Sequence, residues 1–94
     1  MNYTALITGA SKRIGKAIAE HLASIGWNVV IHYNSSSKGA DSLVSSLSSK
    51  YPKQKFISAK ANLANINEVI GLIPEAVSIM GEINLLVNNA SVFD

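Results

Sequence analysis

The sequence predicts an α/β protein built on a parallel sheet of about four strands, in spatial order 3-2-1-4, with helices on both faces. Three observations predict it. Short apolar runs alternate along the chain with stretches whose apolar residues recur every three or four positions, the periods of strand and helix. Strands separated by helices pair in parallel, because each helix returns the chain to the edge from which it left. Right-handed crossovers then wind strands 1, 2 and 3 in one direction and place strand 4 on the far side of strand 1.

Taken in order, Thr4-Ala5-Leu6-Ile7 reads as a strand that runs into a turn at Thr8-Gly9. Ile14, Ala17, Ile18, Leu22 and Ile25 mark one face of a helix, and Gly26 stands where a left-handed C-cap belongs. Val29-Val30-Ile31 is a β-branched run suited to a strand buried on both sides. The segment Ser35 to Ser49 holds eight serines and resembles a linker. Ala40, Leu43, Val44 and Leu47 nevertheless keep helical spacing, so it is read as a polar-surfaced helix over 38–50. Tyr51-Pro52 stops that helix, and Lys55 to Ala59 forms a third strand. Ile66, Val69, Ile70, Ile73, Val77 and Met80 outline a third helix ended by Gly81, with a kink or break expected near Ile70-Gly71 because Pro74 lies inside it. Ile83 to Val87 is the fourth strand.

Composition narrows the function. At 94 residues the chain makes one domain at most, and 48% hydrophobic with 15% charged residues excludes wholesale disorder. A net charge of +2 is too small and too scattered to argue for nucleic acid or an anionic membrane. The absence of cysteine removes disulfides, thiolate metal sites and a thiol nucleophile together. With neither a signal peptide nor a membrane span in view, the expected setting is the cytoplasm.

The chemistry lies in the turn after strand 1. Thr8-Gly9-Ala10-Ser11-Lys12-Arg13-Ile14-Gly15 sits where a strand gives way to a helix, and free N–H groups at a helix start bind a pyrophosphate. Gly9 permits the sharp turn, Gly15 lets the helix approach the sheet, and Lys12 and Arg13 add two cations. Glycine alone is weak evidence, since it marks turns everywhere. Here the strand before, the amphipathic helix after and the surrounding βαβ unit supply the context that a dinucleotide site requires. No Gly-Lys-Ser/Thr follows at the spacing of a P-loop. After strand 2, where an NAD site offers an acid to the ribose 2′-hydroxyl, stands His32-Tyr33-Asn34-Ser35-Ser36. No carboxylate lies there to repel a 2′-phosphate, so NADP(H) is expected over NAD(H); the plainer reading is an ordinary polar loop.

These residues resemble the short-chain dehydrogenase/reductase family. The segment at 8–15 is similar to the family's T-G-x-x-x-G-x-G turn, and Asn88-Asn89-Ala90-Ser91 to its N-N-A-G motif after strand 4. Arg13 stands for the middle glycine of the first motif and Ser91 for the last of the second. Both departures, with His32-Tyr33 and Ser36, are similar to the pteridine-reductase branch. The resemblance implies a Rossmann-type domain over 1–94, cut short at about four strands, from a reductase of carbonyl or C=N groups. It implies that Gly9, Ser11, Arg13 and Ile14 lie along the cofactor, with Ser36 near the 2′-phosphate. Asn62 and Leu63 would flank adenine, although the family more often has an acid at the first of these. Asn89 and Ala90 would approach the nicotinamide ribose. His32 is a further candidate for cofactor contact, though a poor general base without an orienting acid.

The resemblance also implies a catalytic Ser and a Y-x-x-x-K pair beyond strand 4, so no catalytic residue is expected in this chain. The string Tyr51-Pro52-Lys53-Gln54-Lys55 is rejected, since Pro52 bars a helix interior and the segment leads toward the wrong end of strand 3. His21 reads as solvated, the carboxylates as scattered with no metal-ligand arrangement, and Trp27 and Phe56 as packing residues. Two functions follow as expectations. One is the NAD(P)H-binding, N-terminal part of a short-chain oxidoreductase. The alternative is an inactive remnant or interaction module, with a complementing chain or a second copy on the strand 4 edge.

Overall fold

The computed structural model describes residues 3–10 and 13–89, with the side chain of Val69 set aside. Seven elements follow in strict alternation: β1 (Thr4–Ile7), α1 (Arg13–Ser24), β2 (Asn28–Tyr33), α2 (Ser37–Lys50), β3 (Phe56–Lys60), α3 (Ile66–Met80) and β4 (Leu85–Val87). The strands form one four-stranded sheet in the order β3-β2-β1-β4, all parallel, as the alternation requires. Leu6 stands opposite Val30 on one side and Leu86 on the other. Because every strand runs the same way, the turns after β1, β2, β3 and β4 gather at one edge. The winding reverses between β1 and β4, the place where open α/β sheets form their ligand crevice.

The two faces of the sheet are packed unequally. Ala5, Ile7, Val29 and Ile31 point toward α1 and α2 and are closed over by Ala19, Ala23, Ala40, Leu43 and Leu47, with Phe56 beside them. The opposite face is thinner, with Leu6 and Val30 meeting Ala61, Leu72 and Ala76. Trp27 and Phe56 belong to the first cluster, and Trp27 also packs on Tyr3 with ring centroids 5.3 Å apart.

Helix α1 turns a different face to the sheet than its apolar spacing suggested. Its buried residues are Gly15, Ala19 and Ala23. Ile14 and Ile25 are 69% and 59% exposed, Ala17 is exposed, and only Ile18 and Leu22 of the expected stripe are partly covered. Small side chains let the helix axis come close to the strands, where isoleucines would hold it off. The end of α1 is as expected: Gly26, at φ 100°, donates to Ala23 O at 3.1 Å, and the Trp27 N–H bonds Leu22 O at 3.0 Å. That pair of bonds is the Schellman closure, which needs a left-handed residue.

Of the kink or break expected in α3, the break does not occur. The helix runs from Ile66 to Met80 with Pro74 inside it. Both ends are held, by Asn65 Oδ1 accepting the Asn67 N–H at 3.0 Å and by the Gly81 N–H bonding Val77 O at 2.8 Å. Leu72 and Ala76, on either side of the proline, are buried against the sheet. Packing and caps together offset the missing backbone bond. The serine-rich segment is likewise helical, with Ala40, Leu43 and Leu47 buried and the serines outward. No helix among the described residues is long and apolar enough to cross a membrane.

Candidate cofactor-binding site

At the crevice the turn after β1 is tied to its neighbours on both sides. Toward β4, the Thr8 N–H bonds Val87 O at 3.0 Å and Thr8 Oγ1 accepts the Asn89 N–H at 2.9 Å. The Thr8 hydroxyl lies 3.3 Å from Val87 O and 3.4 Å from Asn88 Oδ1, either of which it can donate to. Asn89 Nδ2 donates to Gly9 O at 3.4 Å. Toward β2, the Ala10 N–H bonds His32 O at 3.3 Å and the Gly9 N–H bonds the His32 ring at Nδ1, 3.0 Å away. Replacing Thr8 by valine keeps its shape and removes the hydroxyl. We expect a loss of about 2 kcal/mol, because the Asn89 N–H is left in a partly buried place without its acceptor. The check is a lower urea midpoint at unchanged m-value, with Thr8→Ser close to the parent.

Gly15 explains how close α1 comes to this turn. A Cβ there would lie 2.5 Å from Gly9 O, 2.7 Å from Asn89 Nδ2 and 2.9 Å from the Ala10 Cα. The first turn of α1 begins at Arg13, and the N–H groups of a first helical turn have no partner within their own helix. These are the donors an anion would meet, since those of Gly9 and Ala10 are already engaged. Arg13 is exposed and adopts φ 47°, the left-handed region, where the corresponding family motif carries glycine.

The remaining predicted residues lie around the same edge. Ser36 is the N-cap of α2, is exposed, and makes no side-chain cap bond, and the first turn of α2 carries no acid. Asn62 and Leu63 follow β3. The Asn62 side-chain oxygen accepts the Ala64 N–H at 3.0 Å, and the Asn62 N–H donates to Glu68 Oε1 at 3.0 Å. This folds the loop into a compact turn before α3. Ser11, Lys12, Ala90 and Ser91 lie outside the described residues.

One expectation is corrected. His32 does not face the crevice: it is 1% exposed, and its other ring nitrogen, Nε2, lies 2.8 Å from Ala61 O. Both nitrogens are engaged beneath the surface. The sequence pattern could have hinted at this, since His32 continues the buried run Val29 to Ile31.

The rejected Tyr51–Lys55 string lies at the opposite end of the sheet. Tyr51 caps α2, and the Lys55 ammonium bonds Ile79 O at 2.8 Å. His21 is exposed, and no group of three or more His, Cys, Asp or Glu that could hold a metal occurs among the described residues.

A parallel sheet with a reversal of strand order, a glycine turn into a closely packed helix and a paired asparagine after β4 define one half of a Rossmann-type fold. Comparison with known proteins gives the same class. The family model for short chain dehydrogenase matches residues 3–94, and the chain belongs to that family. It is 41% identical over 92 residues to a 3-oxoacyl-[acyl-carrier-protein] reductase, FabG, of Staphylococcus epidermidis, covering 98% of this chain and 37% of that protein. A 3-oxoacyl-[acyl-carrier-protein] reductase of Synechocystis is 42% identical over 88 residues, 94% of this chain and 35% of the relative. Among solved structures, FolM alternative dihydrofolate reductase 1 of Brucella canis, complexed with NADP, superposes with a TM-score of 0.87 at 38% identity. That match covers 98% of this chain and 36% of the other. The chain thus spans little more than a third of the length of the relatives it matches.

Proposed function

We propose that this chain is the NADP(H)-binding, N-terminal part of a short-chain oxidoreductase that reduces a carbonyl or C=N group. The observation that carries the reading is the glycine cradle: Gly15 brings the start of α1 to the turn so closely that a single methyl would strike Gly9 O at 2.5 Å. A pyrophosphate fits such a place, between a helix start and a short turn. In this reading Gly9, Ser11, Lys12, Arg13, Ile14 and Gly15 form the phosphate side. Ser36, with an uncommitted role at the acid-free start of α2, meets the 2′-phosphate. Asn62 and Leu63 flank adenine by backbone and side-chain surface, and Asn89 and Ala90 meet the second ribose. When bound, the cofactor supplies the hydride. The residues here hold and orient it, while a Ser and Tyr-x-x-x-Lys pair belong to the remainder of the family fold. The NADP bound in the Brucella structures supports the preference for the 2′-phosphate. The setting in this reading is the cytoplasm.

The test is a titration of the purified chain with NADPH and with NADH, followed by nucleotide fluorescence. Saturable binding, tighter for NADPH, is the expected result; no saturation with either nucleotide refutes the reading.

Arg13 gives this reading a diagnostic variant. Arg13→Gly removes a cation and also relieves a left-handed backbone. Such a conformation costs an L-residue about 1–2 kcal/mol, partly offset by the greater chain entropy of glycine. Stability is expected to rise by about 0.5–1 kcal/mol while NADPH affinity falls about tenfold, roughly 1.4 kcal/mol. Opposite signs in one variant separate the cation's role from any effect on folding.

A second reading has its own observation. Among the described residues β4 pairs only with β1, and Leu85 and Leu86 are 38% and 57% exposed on that edge strand. Ile66, Ile70 and Val77 of α3 are exposed as well. In this reading the chain is an inactive module whose edge takes another strand, from a complementing chain or from a second copy. Sedimentation over a range of concentrations tests self-association: a monomer at every concentration, unchanged by Leu86→Lys, removes that form of it.

A further inference from the structure

We infer that His32 is a positioning residue for the cofactor, acting through Gly9 to hold the phosphate turn in its binding shape; this rests on the dinucleotide reading above. The ring is buried at 1% exposure on the last stretch of β2, directly beneath the turn. Its two bonds dictate where its hydrogen lies. The Gly9 backbone N–H is a donor only, so Nδ1, 3.0 Å away, must present a lone pair. Ala61 O is an acceptor only, so Nε2, 2.8 Å away, must carry the hydrogen. The bond to Ala61 thus selects the tautomer that can receive Gly9. It is an orienting bond of the kind that fixes a histidine's ring wherever the other nitrogen has work to do.

The consequence for the site is geometric. Gly9 is the pivot of the turn, at φ 64°, and its carbonyl faces the position a Gly15 Cβ would occupy. With its N–H bonded to His32, Gly9 can point neither that donor nor its peptide plane into the crevice. The next peptide plane, which carries Gly9 O, is held by Asn89 Nδ2 at 3.4 Å. The His32 carbonyl adds a second hold on the turn by accepting the Ala10 N–H at 3.3 Å. One residue therefore grips two successive peptides of the phosphate turn. It leaves the N–H groups from the start of α1 to meet the anion. At its far end it reaches Ala61, next to the loop assigned to adenine, so the two sides of the cofactor cradle are joined through a single ring.

The experiment separates the two nitrogens. Asparagine keeps an acceptor where Nδ1 stands and loses the reach to Ala61. Glutamine keeps a donor where Nε2 stands and loses the acceptor for Gly9. NADPH affinity is measured by fluorescence titration of the chain and of His32→Asn and His32→Gln. Hydrogen exchange at the Gly9 amide is followed by NMR in all three. The expected result is NADPH affinity within about threefold of the parent for His32→Asn and at least about tenfold weaker for His32→Gln. Gly9 exchange should be protected in the parent and in His32→Asn, and at least about tenfold faster in His32→Gln. A merely structural role would move both variants alike, since each loses one buried bond. Equal affinity losses, or a Gly9 amide equally protected in all three, overturn the proposal. Nitrogen-15 shifts of the parent ring give a check that needs no variant, and an Nδ1–H tautomer would also overturn it. If the parent binds no NADPH, it is the dinucleotide reading that fails, while the exchange and tautomer results still decide whether His32 holds Gly9.

Discussion

Gly15→Ala is expected to destabilise the chain by about 3 kcal/mol, at the upper end of what overpacking a core costs. The added Cβ has no direction in which to yield. It would lie 2.5 Å from a backbone oxygen, 2.9 Å from a Cα and 2.7 Å from the Asn89 amide, so the helix must back away from the turn or the turn must deform. Backing away strips cover from Ala19 and Ala23, which are fully buried on the same face of α1. Deforming the turn breaks the Gly9 bonds to Asn89 and His32. Either way the phosphate turn changes shape, and we expect NADPH affinity to fall by more than about tenfold, roughly 1.4 kcal/mol. Urea melts and nucleotide titration of the same preparation measure both effects. Gly71→Ala is the control. Nothing lies within 4 Å of its Cβ position, and it sits inside α3. That substitution should stabilise by about 0.5–1 kcal/mol through helix propensity alone. A Gly15→Ala variant as stable as its parent would show that the close approach is not needed.

Leu6→Ala should cost a similar amount, about 3 kcal/mol, and for a different reason: it opens a void rather than overfilling one. Leu6 is fully buried, and it faces the thinner side of the sheet, where Val30 and Leu72 are its large buried neighbours. Few side chains are on hand to close the gap, so the cost includes an unfilled cavity. In a small domain whose total stability is of order 5 kcal/mol, that leaves a large unfolded fraction. The site feels it as well, because Ala61 packs in the same cluster and its carbonyl anchors His32. A thermal melt shows the loss, and added NADPH should recover part of it, since a ligand that binds only the folded chain shifts the equilibrium toward it.

Most of the architecture was legible in the sequence for local reasons. Val29-Val30-Ile31 cannot pack as anything exposed, and each helix ends at a residue that ends helices, Gly26, Tyr51-Pro52 and Gly81. Two features of the helices were not legible. The apolar stripe of α1 pointed to Ile14 and Ile25, yet these are exposed, because contact with the sheet is limited by how near the helix axis can come. Gly15, Ala19 and Ala23 lose less transfer energy individually but allow that approach. Pro74 argued for a break in α3 that caps and the burial of Leu72 and Ala76 outweigh.

The site divides in the same way. The sequence by itself determined the glycine turn, the asparagine pair and their placement after β1 and β4, since these depend on residue type at a strand end. It also determined the family, to which the chain belongs across residues 3–94. Only the tertiary structure decided which polar groups face the crevice. His32 is a polar residue at the right edge, and a linear reading assigns it to the ligand. In the fold, the His32 ring turns inward between Gly9 and Ala61. The physical reason is that a buried donor or acceptor must find its partner within the protein. That partner is chosen by strands brought side by side from distant parts of the chain, which spacing along the sequence does not record.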